Sequence, residues 1–304
     1  MALVVEQLLN GVQLGFMLFL MAAGLTLVFG VMGLINLAHG SLYMIGAFAA
    51  ATVAGASGSF ALGLLAAALA AALVGVLVEL LVMRRLYARD HLEQVLATFA
   101  LILVLSEGTR LAFGSFPLYL SVPEALSGSV ALPGGIVYPR YRLFLIGVGL
   151  AVAVGLQLLI HRTRLGVRIR AGQNDRETIA ALGVDISTLY TAVFAIGAAL
   201  AGLAGALLGT LQSVQVGMGE PVLILAFVVI VIGGVGSVRG ALVAAILVGV
   251  TDTMGSFALP GAFERLFGTP GARTAGTVLA SMLVYVLMAI VLLVRPSGLL
   301  GARR

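Results

Sequence analysis

The chain has 304 residues, of which 61% are hydrophobic and only 10% charged, with a mean hydropathy of +1.18. A soluble domain carries about 25% charged residues, so a water-soluble surface is excluded and lipid is the solvent for most of the chain. All 17 basic residues are arginine against 12 acidic ones, and the net charge of +5 reads as loop charge on one side of a membrane, with no nucleic-acid footprint.

Cysteine is absent, which excludes disulfides, thiolate metal sites and cysteine nucleophiles. Tryptophan is absent too, so an interfacial aromatic belt falls to tyrosine; Tyr87, Tyr119, Tyr138, Tyr141 and Tyr190 lie at or beside predicted membrane edges. The 40 glycines are roughly double the usual share of about 7%, which in a membrane favours close helix contacts and broken helices.

In chain order, no Asp, Glu, Lys or Arg occurs between Glu6 and Glu79, a run long enough to cross an apolar core of about 30 Å three times. The breaks at Gly30–Gly40 and Gly55–Ser59 divide it into spans near 8–29, 37–56 and 60–83. The first is read as a span and not a signal peptide, because it lacks a basic start and a small-residue cleavage site. Further spans are expected at about 94–113, 142–160, 188–211, 221–236, 240–258 and 275–294, the 221–236 segment being short enough to be re-entrant or discontinuous. The fold class is therefore all-α, a polytopic helical bundle of about nine spans in a single transmembrane domain, 1–304. Residues 114–140 hold four prolines and a Pro-Gly-Gly turn at 133–135, which predicts an ordered loop or small hairpin.

Arginine sets the expected orientation. Placing 84–93, 161–187, the 237–239 turn and the C-terminus inside puts 12 arginines in, Arg303 and Arg304 among them, and leaves 5 outside (17 − 12). The positive-inside rule then predicts the N-terminus outside, or periplasmic, the C-terminus in the cytoplasm and an odd number of crossings.

The stretch 161–187 is the one sizeable polar segment on the inner side. Within it Asn174, Asp175, Arg176 and Glu177 have capping-box spacing, with Asn174 as N-cap and Glu177 at N3, and Gly183 is placed to end the helix. A helix of two turns is too short to stand alone in water, and it presents Ile179, Ala180 and Leu182 on or near one side. It either contacts a cytoplasmic partner or packs on the protein's own inner surface.

A weak repeat at an offset of 200 aligns Gly33 with Gly233 and Gly40 with Gly240, either a genuine repeat of the kind that marks transport pathways or a coincidence in a glycine-rich chain. Gly233, Gly236, Asn36, His39 and Ser41 at these two breaks are candidate pathway-lining residues, packing being the alternative for the polar three. Gly234-Val-Gly236 lacks a Gly-Lys-Ser/Thr ending and is no phosphate loop. Asp252 is either functional or bonded to a neighbouring helix near the outer end of its span. Glu107 and Arg110 are spaced to pair within one helix, and Glu79 near Arg84 and Arg85 reads as structural. Small residues at four-residue intervals through 197–209 predict a close-packing face. No HExxH, nucleophile elbow or convergent carboxylate pair is present, so neither catalytic nor metal-binding residues are expected.

Residues 24–48, from GLTLVFGVMGLINLAHG onward, closely resemble the first signature of branched-chain amino acid ABC permeases of the LivH type. The resemblance continues through 164–183, Gly217-Met-Gly-Glu220, 231–240 and Arg295-Pro-Ser-Gly-Leu299, and spans essentially the whole chain. It implies an importer of the bacterial inner membrane for branched-chain or similar hydrophobic amino acids. The implied partners are a second homologous permease, two cytoplasmic ATPases that bind ATP and Mg, and a periplasmic substrate-binding protein, with no cofactor in this chain. It also implies that the helix around Asn174, Asp175, Arg176, Glu177, Ile179, Ala180, Ala181 and Gly183 couples to an ATPase, although the Glu-Ala-Ala…Gly pattern of many importers is matched only loosely, by Glu177, Ala180, Ala181 and Gly183. The alternatives are a urea or short-amide permease of the same family and a gradient-driven secondary transporter with Asp252 as its coupling site.

Overall fold

The charge-free run from Glu6 onward folds as the long helix α1 (Ala2–Met32), apolar on all sides and buried on nearly all sides from Gly11 to Met32. A helix hydrophobic all round belongs in the middle of a bundle, and α1 is the post around which the others stand. The computed structural model describes residues 2–87, 89–269 and 271–301. After α1 come α2 (His39–Ser57), α3 (Phe60–Leu86) and α4 (His91–Phe113), then a hairpin of β1 (Ser129–Leu132) and β2 (Ile136–Pro139). The chain continues through α5 (Arg140–Arg162), α6 (Arg164–Asn174), α7 (Arg176–Ala181), α8 (Ile186–Leu208), α9 (Gly219–Gly233), α10 (Val238–Phe267) and α11 (Ala272–Val294).

Among the described residues eight helices are long and apolar enough to cross a membrane: α1 to α5, α8, α10 and α11. The ninth apolar helix, α9, has 15 residues, about 22 Å of helix, less than the ~30 Å of a hydrocarbon core. The span expected at 240–258 is longer than predicted, because α10 runs on through Pro260 to Phe267 before Gly268 ends it in a left-handed conformation. Two of the arginines counted on the inner side, Arg303 and Arg304, lie outside the described residues.

Glycine sets how closely the bundle packs. Lipid is as apolar as leucine, so helices associate in membranes through van der Waals fit. A Cβ at Gly15 would meet Ile246 on α10, one at Gly24 the carbonyl of Gly197 on α8, and one at Gly40 the carbonyl of Gly219 on α9, all within 3 Å. Small residues of the face predicted at 197–209 pack on three helices: Gly197 faces α1, Gly202 faces Ala67 and Ala71 on α3, and Gly205 sits on the Tyr43 carbonyl of α2, whereas Gly209 meets only Val214 of the following loop and its own helix.

Buried polar groups are satisfied where α3 changes pitch. Glu79 opens a five-residue π-helical segment, Glu79–Met83, and is fully buried. Its carboxylate accepts from Arg84 Nε at 3.1 Å, Tyr87 Oη at 2.9 Å and Thr191 Oγ1 at 2.8 Å. Glu107 and Arg110 form the expected intrahelical pair at 2.9 Å. The hairpin predicted in 114–140 is present: Leu132 pairs with Ile136 across a turn in which Gly134 and Gly135 take φ of +88° and +76°. Tyr138 on β2 donates to Asn10 of α1 at 3.1 Å, and the backbone of Leu118 pairs with that of Val214. These contacts place the hairpin and the α8–α9 loop at the same end of the bundle.

The two segments aligned at an offset of 200 both interrupt helices, but their glycines are not structurally equivalent. Both segments break a pair of helices, α1–α2 at 33–38 and α9–α10 at 234–237. Gly33 is left-handed at φ +67°, whereas Gly233 is the last helical residue of α9, packed against the backbone of Gly240.

Candidate functional site

The polar stretch 161–187 is a helical corner. Thr163 caps α6, its hydroxyl accepting from Gly166 N at 3.0 Å, and the Arg170 guanidinium bonds the Ile160 carbonyl at the end of α5. Three arginines in eleven residues disguise α6 as a loop in sequence; its buried side is only Gly166, Ile169 and Gly172. Because Asn174 completes α6, it cannot also cap the next helix. The N-cap of α7 is Asp175, in extended geometry (φ −155°, ψ 98°), and it accepts from the amides of Glu177 and Thr178, both at 3.0 Å. Sequence spacing named the neighbouring residue, since Asn and Asp are equally good caps and only the reach of α6 separates them.

The far end of α7 is as predicted. Gly183 takes φ +87°; its N–H donates to Ala180 O at 3.0 Å, and Val184 N donates to Ile179 O at 3.2 Å, the paired bonds of a Schellman motif. Asp185 then caps α8 through the amides of Ser187 and Thr188. The Asp175 carboxyl is held below its ordinary value, first by the Thr178 hydroxyl and then by the amides it accepts; Thr188 does the same to Asp185.

Of the apolar residues on α7, Ile179 alone turns inward. It meets Gly172 of α6, which also lies against Val31 of α1 and Leu189 of α8. Asn174, Asp175, Arg176, Glu177, Ala180, Ala181 and Gly183 are exposed, as is Leu182 at 77%. The helix is thus pinned by one side chain and offers the rest of its surface outward.

Beside it opens a cavity of about 1530 Å³, walled by the end of α1 (Phe29–Gly33), the α6–α7 corner (Gly172–Glu177), the α9–α10 break (Val235–Ser237) and the segment after α11. That last segment was legible only as a motif. In the fold Leu299 N and Leu300 N donate to the carbonyls of Ile232 and Gly233 at 2.8 and 3.1 Å, satisfying backbone acceptors that the end of α9 leaves without partners. Gly298 (φ +79°) packs on the backbone of Gly234.

The structure therefore brings Asn174, Asp175, Arg176, Glu177 and Gly236 onto one cavity wall. Gly233 lies buried behind that wall. Asn36, His39 and Ser41 are buried deeper in the bundle, not on the wall. Asn36 Oδ1 accepts from Ala38 N at 3.0 Å, while Asn36 Nδ2, both His39 ring nitrogens and Thr26 Oγ1 have no protein partner among the described residues. Asp252 borders a separate notch with Gln7, Thr253 and Ser256 and makes no hydrogen bond to them. No group of three metal-ligating side chains occurs among the described residues.

Residues 7–297 match the family model described as branched-chain amino acid transport system / permease component. The chain is 32% identical over 310 residues to the high-affinity branched-chain amino acid transport system permease protein BraD of Pseudomonas aeruginosa, covering 97% of this chain and 95% of that one. It is 28% identical over 312 residues to LivH of Escherichia coli K12, with the same coverage. To the probable LivH of Methanocaldococcus jannaschii it is 26% identical over 297 residues, covering 94% and 89%. No solved structure matches the chain.

Proposed function

From the premise that this chain belongs to the branched-chain amino acid transport permease family, a family of membrane permeases and not of enzymes, we propose that it carries branched-chain amino acids across the bacterial inner membrane. The observation that supports this most is the match along nearly its whole length to permeases bearing that name. The arginine-rich end, with α6, α7 and the C-terminal segment, faces the cytoplasm; the N-terminus and the hairpin face the periplasm. A periplasmic binding protein delivers the solute, a second homologous permease completes the pathway, and two ATPase subunits holding ATP and Mg drive the cycle.

In this reading α7 is the coupling element. It is well capped at both ends and tied inward by Ile179 alone, so it fits a groove in an ATPase while remaining mechanically joined to α1, α6 and α8. A push on α7 moves the wall it shares with the end of α1 and the α9–α10 break. Such rigid-body coupling converts closure of an ATPase pair into alternating access. Asn36, His39 and Ser41 are proposed to line the opened state, in which the orphaned groups of Asn36 and His39 gain water.

The test is purification from native membranes in mild detergent, followed by uptake in proteoliposomes with the binding protein titrated with leucine, urea and sugars. Recovery of two ATPases and a second permease with leucine uptake is expected. Ile179→Pro is expected to abolish ATP-driven uptake while the subunit remains folded in the membrane. Uptake driven by an ion gradient without ATPases, or by urea-loaded binding protein alone, overturns the reading.

A further inference from the structure

The short helix α9 is open along one stripe. Glu220 and Ile224 are exposed and Phe227 and Val231 partly so; Pro221 is also exposed and Val222 and Leu225 partly so to one side of this line, while Leu223, Ala226, Val228, Val229 and Ile230 are buried. Residues at 220, 224, 227 and 231 fall on a single face of a helix of 3.6 residues per turn. At its lower end the stripe enters the large cavity, because Val231 and Val235 are part of that wall. At its upper end stands a carboxylate, Glu220, with no ion-pair or hydrogen-bonding side chain among the described residues. Beyond it the α8–α9 loop carries the exposed residues Gln212 and Gln215.

The depth of Glu220 gives this arrangement its meaning. Arg239, exposed in the first turn of α10, fixes the lower end of α9 at an interface. Glu220 lies thirteen residues above Gly233, about 20 Å along the helix axis and still within a core of ~30 Å. An ionised side chain at that level faces protein or a water-filled space, not lipid.

We infer that this stripe of α9 is a wall of the solute pathway and that Glu220 receives the ammonium group of an apolar zwitterionic amino acid, whose side chain then slides over Ile224, Phe227 and Val231 into the cavity. The inference rests on the permease reading above and names the contact that reading lacks. The carboxylate matches the cationic end of the solute, and the aliphatic and aromatic residues below match its side chain. Ile224, Phe227 and Val231 add no charge to the stripe below Glu220, which lets the solute move on towards the cavity, as transport requires.

The absence of cysteine from the chain permits a direct test. Single variants Ile224→Cys and Val231→Cys in the assembled importer are treated with a water-soluble, membrane-impermeant maleimide, and Leu73→Cys on the exposed face of α3 serves as the reference. Labelling at 224 and 231, slowed by saturating leucine-loaded binding protein and absent at 73, is expected. Glu220→Gln lowers leucine uptake about tenfold, the effect of losing one charge-assisted contact, with partial rescue by Glu220→Asp. Unreactive thiols at 224 and 231, or unaltered leucine uptake in Glu220→Gln, overturn the inference; if Glu220→Gln does not assemble, the labelling decides alone. Cysteine variants that label at 224 and 231, in an importer whose wild-type form takes up no branched-chain amino acid, retain the wall and refute the function proposed for it.

Discussion

Removal of one carboxylate from the α6–α7 corner separates two accounts of the coupling helix. Asp175 accepts from two amides, those of Glu177 and Thr178, whereas the side chain of Asn174 is exposed and its residue ends α6. Replacing an N-cap by alanine costs about 1 kcal/mol and at most about 2. A six-residue helix has almost no stability of its own, so the loss falls directly on its local opening equilibrium. About 1 kcal/mol is a factor of about five in that equilibrium. Hydrogen exchange of the purified subunit reads it at the two amides: Asp175→Ala accelerates exchange at Glu177 and Thr178 about fivefold. Asn174→Ala leaves both within about twofold, the range of a surface substitution, and Asp175→Ser restores most of the protection. Equal acceleration by both alanine variants, or a larger one from Asn174→Ala, refutes the assignment of the cap and the reasoning built on it.

The remaining predictions concern stability. Arg84→Ala leaves the buried Glu79 carboxylate with only Tyr87 and Thr191, and is expected to destabilise by about 3 kcal/mol, the low end for a broken buried pair because Arg84 itself reaches solvent; thermal melting in detergent measures it. Gly205→Val drives a side chain into the Tyr43 carbonyl and costs about 1–3 kcal/mol or more, whereas Gly108→Val, with open space around it, melts within a degree or so of wild type. The caps of α7 and α8 are acid-sensitive in a defined direction. Because Asp175 and Asp185 are held below their ordinary value of 3.8, their capping is complete above that pH and is lost only as pH falls through the lowered values. Exchange protection at Thr178 and Thr188 that is constant from pH 7 to 5 checks this, and a decline in that interval contradicts it.

A hydropathy pattern carries most of the topology of this protein, and the reason is physical. Each span must satisfy its own backbone and cover itself in apolar side chains, so the spans, the short ninth helix, the 197–209 packing face and the Gly134–Gly135 turn are all local properties, visible in the order of the residues. Gly183 is legible for the same reason, since a left-handed helix end is a local requirement. The tertiary structure decided what depends on residues distant in the chain. Which of Asn174 and Asp175 caps α7 depends on how far α6 extends, and that is set by Ile169 and Gly172 packing against α1 and α8. The role of Gly33 differs from that of its aligned partner Gly233 because one ends a helix and the other abuts Gly240. The Arg295–Leu299 motif acquires its role from the carbonyls of Ile232 and Gly233, more than sixty residues earlier. The open stripe of α9 exists only because α1, α2, α10 and α11 cover its other faces, and no local pattern in fifteen largely apolar residues records which neighbours are missing.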